Sequence, residues 1–169
     1  MNLMAGIKMT NHQKVKEFNR AFQLEVPEQP QPQLFVEQPA LVQLKLDLIK
    51  EEVRELEESI RNQDLRETVD ALADILYVVY GAGISFGIDM DQAFDLVHRS
   101  NMSKLCPTEQ DAIDTVKWYH NEFLGGKSPY DSPAYRKNPE TGGYTVYNQS
   151  TGKILKSITY SPVNLDSVL

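Results

Sequence analysis

Only one cysteine, Cys106, is present, so no disulfide can form within the chain, and that suits a reducing, cytoplasmic setting. Cys106 precedes a proline and has no base near it in sequence, so a packing role is expected of it. Long apolar runs are missing: nothing approaches the ~18 consecutive apolar residues of a membrane span. The first residues lack a signal peptide's apolar stretch, so Met1 to Met9 read as a flexible leader and no membrane partner is expected. A basic footprint is absent too. Lys and Arg number 17 against 24 Asp and Glu, a net charge of −7, which argues against a nucleic-acid partner. There is no glycine-rich phosphate loop, HExxH, paired CxxC or GxSxG, so several common enzyme chemistries lack their parts. What remains is an acidic chain of 169 residues, 41% hydrophobic, enough for one soluble domain with one core.

The acids present are not scattered. Leu48 to Asp74 reads as two helices joined by the polar turn Asn62-Gln63-Asp64, with Glu51, Glu52 and Glu55 on the first and Glu67, Asp70 and Asp74 on the second. At about 100° per residue, Leu41, Leu44, Leu48, Ile49, Val53, Leu56 and Ile60 fill one arc. Glu52 falls near its middle, Glu55 about 60° away and Glu51 at its edge, while Glu57 and Glu58 point to water. Glu67, Asp70 and Asp74 share a narrow strip of a helix apolar on nearly every other side, which predicts a central, largely buried element. Carboxylates on such a stripe lose hydration and repel one another, so they take up protons or hold a cation. A hard divalent ion, Mg²⁺ with Mn²⁺ as the other choice, accepts oxygen ligands and leaves room for water and phosphates. The wheel leaves a second reading open, in which these are solvated faces of an acidic protein.

Around this pair the chain reads as follows. Thr10 and Gln13 form a capping-box pattern, opening a helix to about Leu24 with Val15, Phe18 and Phe22 on one face. The stretch VPEQPQPQ is an extended connector. The acid-bearing helices run from about Pro39 to Arg61 and from Leu65 to Phe86, ended by Gly87. Asp89 or Asp91 caps a further helix to about Lys104, with Phe94, Val97 and Leu105 buried, Asn101 on the same stripe and His98 beside it. Thr108 with Asp111 caps one more, GGKSPYDSPAYRKNPETGG is loop, and Tyr144 to Tyr147 pairs with Lys153 to Thr159 in a small hairpin. Tyr77 and Tyr80 are expected to make core or interface contacts rather than to stack on a base.

Chemically, two carboxylate-bound ions could grip adjacent phosphates while a free carboxylate takes a proton from water, and Glu51 is the candidate base because it need not be a ligand. A di-iron bundle requires histidine three residues after glutamate. None of His12, His98 and His120 stands there. The non-enzymatic rival is a helical dimer that binds a structural cation or nothing.

EEVRE, Glu51 to Glu55, followed by ETVD, Glu67 to Asp70, resembles the EExxE…ExxD signature of the all-helical nucleotide pyrophosphohydrolases, the MazG-like and phosphoribosyl-ATP-pyrophosphohydrolase-like superfamily. VDALADILYVVYGAGISFGID, VHRSNMSKL and GKILKSITYSPVNL resemble the branch that includes MazG-like dUTP-hydrolysing enzymes, so the likeness covers about Asn11 to Leu105 and the tail from Gly152. The resemblance implies an all-α bundle of four to five helices, with a small hairpin or extended tail, assembled as a homodimer or tetramer. It implies Mg²⁺- or Mn²⁺-dependent cleavage of a nucleoside triphosphate between the α and β phosphates, giving monophosphate and pyrophosphate. A pyrimidine triphosphate such as dUTP is the favoured substrate and phosphoribosyl-ATP the alternative. By motif, Glu52, Glu55, Glu67 and Asp70 become metal ligands, with Asp74 as an addition the signature does not require, and Glu51 activates water. Asn101 and Lys104 become substrate contacts, and Lys153 and Lys156 either touch phosphates or sit on a solvated hairpin. Residues 108 to 150 look like an insertion, either a lid or surface decoration, and the short Glu55–Glu67 gap demands a tight connection.

Overall fold

Thr10 and Gln13 close the capping box, with the Gln13 N–H donating to Thr10 Oγ1 at 3.2 Å and the Thr10 N–H donating to Gln13 Oε1 at 2.9 Å. This opens helix α1, Asn11–Ala21, in a computed structural model that describes residues 8–169. Residues 1–7, most of the expected leader, lie outside the described residues. The buried side of α1 is His12, Val15 and Asn19, whereas Phe18 and Phe22 are exposed, stacked on each other at 4.4 Å. The hydrophobic face expected there is therefore rotated, and two polar residues share the buried position with one valine.

The connector holds a one-turn helix α2, Leu34–Glu37, which the prolines around it obscure in the sequence. Helix α3, Pro39–Arg61, starts with proline at its first position, where the missing N–H costs nothing. It ends as the turn residues predict. The Asp64 N–H donates to Ser59 O at 3.0 Å and the Gln63 N–H to Ile60 O at 3.1 Å, the paired bonds of a Schellman end. Gln63 takes φ +56° there, a conformation that costs a side-chain-bearing residue roughly 1 kcal/mol. Gln63→Gly is therefore expected to raise the urea midpoint by the equivalent of about 0.5–1 kcal/mol, with the slope unchanged.

Asp64 then caps helix α4, Leu65–Ser85, accepting from the N–H groups of Arg66 and Glu67. A second Schellman end closes α4: the Ile88 N–H donates to Gly83 O at 3.0 Å and the Gly87 N–H to Ile84 O at 2.9 Å. Gly87 has φ +69°, and a Cβ placed on it would lie 1.9 Å from the Gln29 carbonyl oxygen, so the connector crosses where only glycine fits. Helix α5, Met90–Met102, begins under the Asp89 carboxylate, which accepts from the Asp91 and Gln92 N–H groups. Tyr80 donates to Asp91 Oδ1 at 2.8 Å; partial burial and that carboxylate push its phenol up to about 12.

Two compact units result, Met1–Phe94 with Leu165–Leu169, and Asp95–Asn164. In the first, α4 packs along α3 and α1. The expectation that α4 is largely buried is corrected: Ala71, Gly81, Gly83, Ile84 and Ser85 are buried, but Leu65, Val69, Leu72 and Leu76 form an exposed stripe at helical spacing. Composition reads as burial on all sides, and one chain supplies neighbours for only part of the circumference. Among the described residues α4 alone has the length and apolar content to cross a membrane. Its carboxylates and its packing on α3 give it the character of a helix packed on protein.

In the second unit, helix α6, Glu109–Leu124, starts at the predicted Thr108–Asp111 capping box. Strands β1, Pro133–Lys137, and β2, Tyr144–Asn148, pair antiparallel with Tyr135 opposite Val146. The hairpin therefore uses residues that read as loop, and Lys153 to Thr159 contributes only a bridge from Ile154 to Tyr147. Prolines at 129, 133 and 139 hide β1, yet Pro133 sits at the strand's first residue, where a ring is tolerated. The core here is Cys106, Ala112, Tyr119, Val146 and Leu155. The Cys106 thiol is fully buried and donates to Ser157 Oγ at 3.3 Å, a packing residue as expected. Phe94, Val97 and His98 of α5 are exposed rather than buried. Helices thus dominate, with one small antiparallel hairpin near the C-terminus, the all-α class that the sequence predicts.

Candidate active site

The three-residue turn between α3 and α4 sets the second half of one helix beside the first half of the other, and this brings the two acid motifs together. A polar contact fixes their register: Thr68 Oγ1 lies 3.1 Å from Ser59 Oγ, which donates to Leu56 O at 2.9 Å. Ser59 is the buried residue of α3, and Ala71, small enough for close approach, is its counterpart on α4.

Beside this contact lies a cleft of about 350 Å³ whose walls include Glu55, Glu67 and Asp70. Glu58, Asp64 and Asn62 also line it. Glu58 is exposed, as the wheel predicts, and stands at the rim of this cleft. Glu67 lies in the first turn of α4, where the helix dipole favours a negative charge.

Glu52 is the half-buried member, one turn up α3 from Glu55. Its carboxyl is held above the ordinary glutamate value, first by burial and then by repulsion from Glu55, Asp74, Glu51 and Asp70. These neighbours span both helices: Glu52 of EEVRE feels Asp70 of ETVD and Asp74 beyond it. Glu51 is exposed, at the edge of the group. The donor set is oxygen only, as a hard divalent ion requires. Among the described residues no three acids converge closely enough in their present rotamers to hold an ion. By chemistry and charge the residues fit such an ion.

The four substrate candidates belong to the second unit, and the acids to the first. Asn101 and Lys104 are joined, the Lys104 ammonium donating to Asn101 Oδ1 at 2.7 Å. Lys153 stands 5.1 Å from the centre of the Tyr130 ring and Lys156 4.6 Å from that of Tyr160. Both lysines are exposed, each lying over an aromatic face.

Sequence reasoning missed other polar groups. His12 and Asn19 are buried on α1, and neither His12 Nδ1 nor Asn19 Nδ2 has a hydrogen-bond partner among the described residues. Lys45, which reads as neither core nor site, is half-buried on α3, and that burial lowers its pKa. Helical phase places these residues on inward faces, but their polarity keeps them out of a core reading.

Compared with known proteins, residues 15–101 match the family model described as phosphoribosyl-ATP pyrophosphohydrolase. The chain is also 31% identical to "Uncharacterized protein L479" of Acanthamoeba polyphaga mimivirus, with 96% of each chain covered.

Proposed function

We propose that this chain, which belongs to the phosphoribosyl-ATP pyrophosphohydrolase family, is a metal-dependent nucleoside triphosphate pyrophosphohydrolase that releases pyrophosphate and leaves the monophosphate. Family membership itself implies a pyrophosphohydrolase-type hydrolase; the metal, the substrate and the residue roles are our reading. The observation that carries it is the meeting of the two acid motifs across the packed α3–α4 pair, with Glu55, Glu67 and Asp70 lining one cleft and Glu52 one turn from Glu55. Oxygen donors gathered from two helices are what a hard divalent cation takes as ligands.

Glu52, Glu55, Glu67 and Asp70, with Asp74 beside them, would hold Mg²⁺ or Mn²⁺. A divalent ion bound there supplies charge neutralisation on the phosphates and a more acidic water. Glu51, exposed at the cluster's edge, is suited to take the proton from that water, because it stays free while its neighbours act as ligands. Lys104, oriented by Asn101, offers a point charge for a phosphate, as do Lys153 and Lys156. Resemblance of the SNMSK and GKILK segments to dUTP-hydrolysing enzymes favours a pyrimidine triphosphate over phosphoribosyl-ATP. The exposed stripe Leu65, Val69, Leu72 and Leu76 supports a homodimer, since an apolar row of that length is normally covered.

The test is pyrophosphate release from a panel of ribo- and deoxynucleoside triphosphates and phosphoribosyl-ATP, with Mg²⁺, with Mn²⁺ and with chelator. Metal-dependent release with one preferred pyrimidine is the expected result. Release that chelator leaves untouched would remove the metal assignment, and preference for phosphoribosyl-ATP would replace the substrate.

A further inference from the structure

We infer that α6 and the hairpin, which lie past the residues matching the family, are the holder of the C-terminal segment. The hydroxyls of Tyr119 and Thr115 on α6, with Ser103 just past α5, are its positioning groups, and what they set in place for a phosphate is Lys156. This rests on the pyrophosphohydrolase reading above, in which Lys156 meets a phosphate.

Residues 155–161 belong to no helix and no strand. Such a backbone must find partners for its N–H groups outside any ladder. Side chains of the second unit supply them. The Lys156 N–H donates to Tyr119 Oη at 3.1 Å, the Ile158 N–H to Thr115 Oγ1 at 3.1 Å and the Ser161 N–H to Ser103 Oγ at 2.9 Å. The Leu155 N–H donates to Val146 O of β2 at 2.9 Å, and Ser100 Oγ donates to Ser161 O at 2.8 Å. Thr115 is fully buried and gives its own proton to Asp111 O at 2.6 Å, so one hydroxyl serves α6 as donor and the tail as acceptor. Valine has nearly the same shape, so filling space does not by itself call for that hydroxyl.

A segment held in this way could be a plain cover, but its side chains argue otherwise. Leu155 and Ser157 are buried, whereas Ile158 is 51% exposed and Lys156 is exposed as well. The Lys156 ammonium lies over the Tyr160 ring, and Tyr160 Oη is 3.1 Å from Ser100 Oγ, so the lysine is held at its backbone by α6 and at its head by a ring anchored to α5. Lys156 is in no ion pair among the described residues. An ammonium already placed over a ring gives up less freedom on binding, and one without a carboxylate partner is open to an anion. The α6–hairpin module is therefore neither a lid nor a decoration: it fixes the tail that carries the charge.

The test is a double-mutant cycle on the full chain, well below its melting temperature, reading kcat/KM for the triphosphate that wild type hydrolyses fastest. Tyr119→Phe with Ser103→Ala removes two of the acceptors that hold the tail and keeps the aromatic ring; Lys156→Met removes the charge and keeps the length. Lys156→Met should lower kcat/KM by about tenfold or more, and the hydroxyl pair by about fivefold. With all three changes the loss should stay within about twofold of the larger of these, because an ammonium no longer set in place has little left to lose. Losses that multiply, or wild-type kcat/KM in the hydroxyl pair, overturn the inference, since merely structural hydroxyls lower the melting temperature without coupling to one charge. Tyr119→Phe alone, the mildest change, carries the same cycle if the pair unfolds. Calorimetric titration with pyrophosphate and Mg²⁺ separates the inference from the reading beneath it. Hydrolysis that Lys156→Met leaves untouched discards the holder's role and keeps the enzyme. Coupled loss of pyrophosphate binding in a chain that hydrolyses no triphosphate keeps the holder and discards the enzyme, and absence of both discards both.

Discussion

Glu52→Gln is expected to lower metal-dependent pyrophosphate release by about a thousandfold, the several kcal/mol that a lost ligand takes from a metal-held transition state, while making the protein more stable at neutral pH. The two effects share one cause. Burial and four neighbouring acids raise the Glu52 carboxyl above its ordinary value. A raised acid contributes stability that is fully present below the unfolded-state pKa and is lost as pH rises through the folded-state pKa. At pH 7 the charged glutamate therefore works against the fold and the neutral amide does not. The melting temperature of Glu52→Gln should exceed that of wild type at pH 7, and the gap should close as pH falls below the ordinary glutamate range. Mg²⁺ should raise the wild-type melting temperature more than that of the variant, since binding to the native state stabilises by mass action. A variant that keeps full activity would refute the ligand assignment. One that loses activity and also melts lower would point to a structural role instead.

Gly87→Ala should cost about 3 kcal/mol or more by urea denaturation. Two penalties add. Alanine at φ +69° is strained, and its methyl would overlap the Gln29 carbonyl, which belongs to backbone and cannot swing aside as a side chain can. Gly126 separates the two penalties: it has φ +70° and nothing within 4 Å of the position of a Cβ. Gly126→Ala should therefore lose only about 1 kcal/mol, the conformational part. Equal losses at the two sites would show that the connector yields. The crossing at Gly87 is also tied down locally, because the Gln31 N–H donates to Phe86 O at 2.9 Å next to that glycine.

Much of this is legible in residue order because it depends on short-range rules. Thr10–Gln13, Asn62-Gln63-Asp64, Gly87 and Thr108–Asp111 mark helix ends through bonds made within a few residues, and each forms where the spacing predicts. The pairing of the two acid motifs follows from the same rules, since a three-residue turn leaves two long helices no other neighbour along that side. The reading fails where a neighbour distant in sequence decides. Strand β1 reads as loop because its prolines and glycines are breakers locally, while its actual partner is β2 across a six-residue turn. Glu58 reads as solvated and is exposed, but a wheel drawn on one helix cannot show that it also borders a cleft formed by two.

The sequence by itself therefore determined the helical class, the helix ends, the family and the joining of EEVRE to ETVD, because periodicity and capping act over a turn or two of chain. Tertiary structure alone decided that α1 buries His12 and Asn19 rather than Phe18 and Phe22, that Lys45 is half-buried, and that α4 leaves a row of leucines and a valine exposed. Burial belongs to whatever packs against a face, and the residues that do so here lie tens of positions away in the chain.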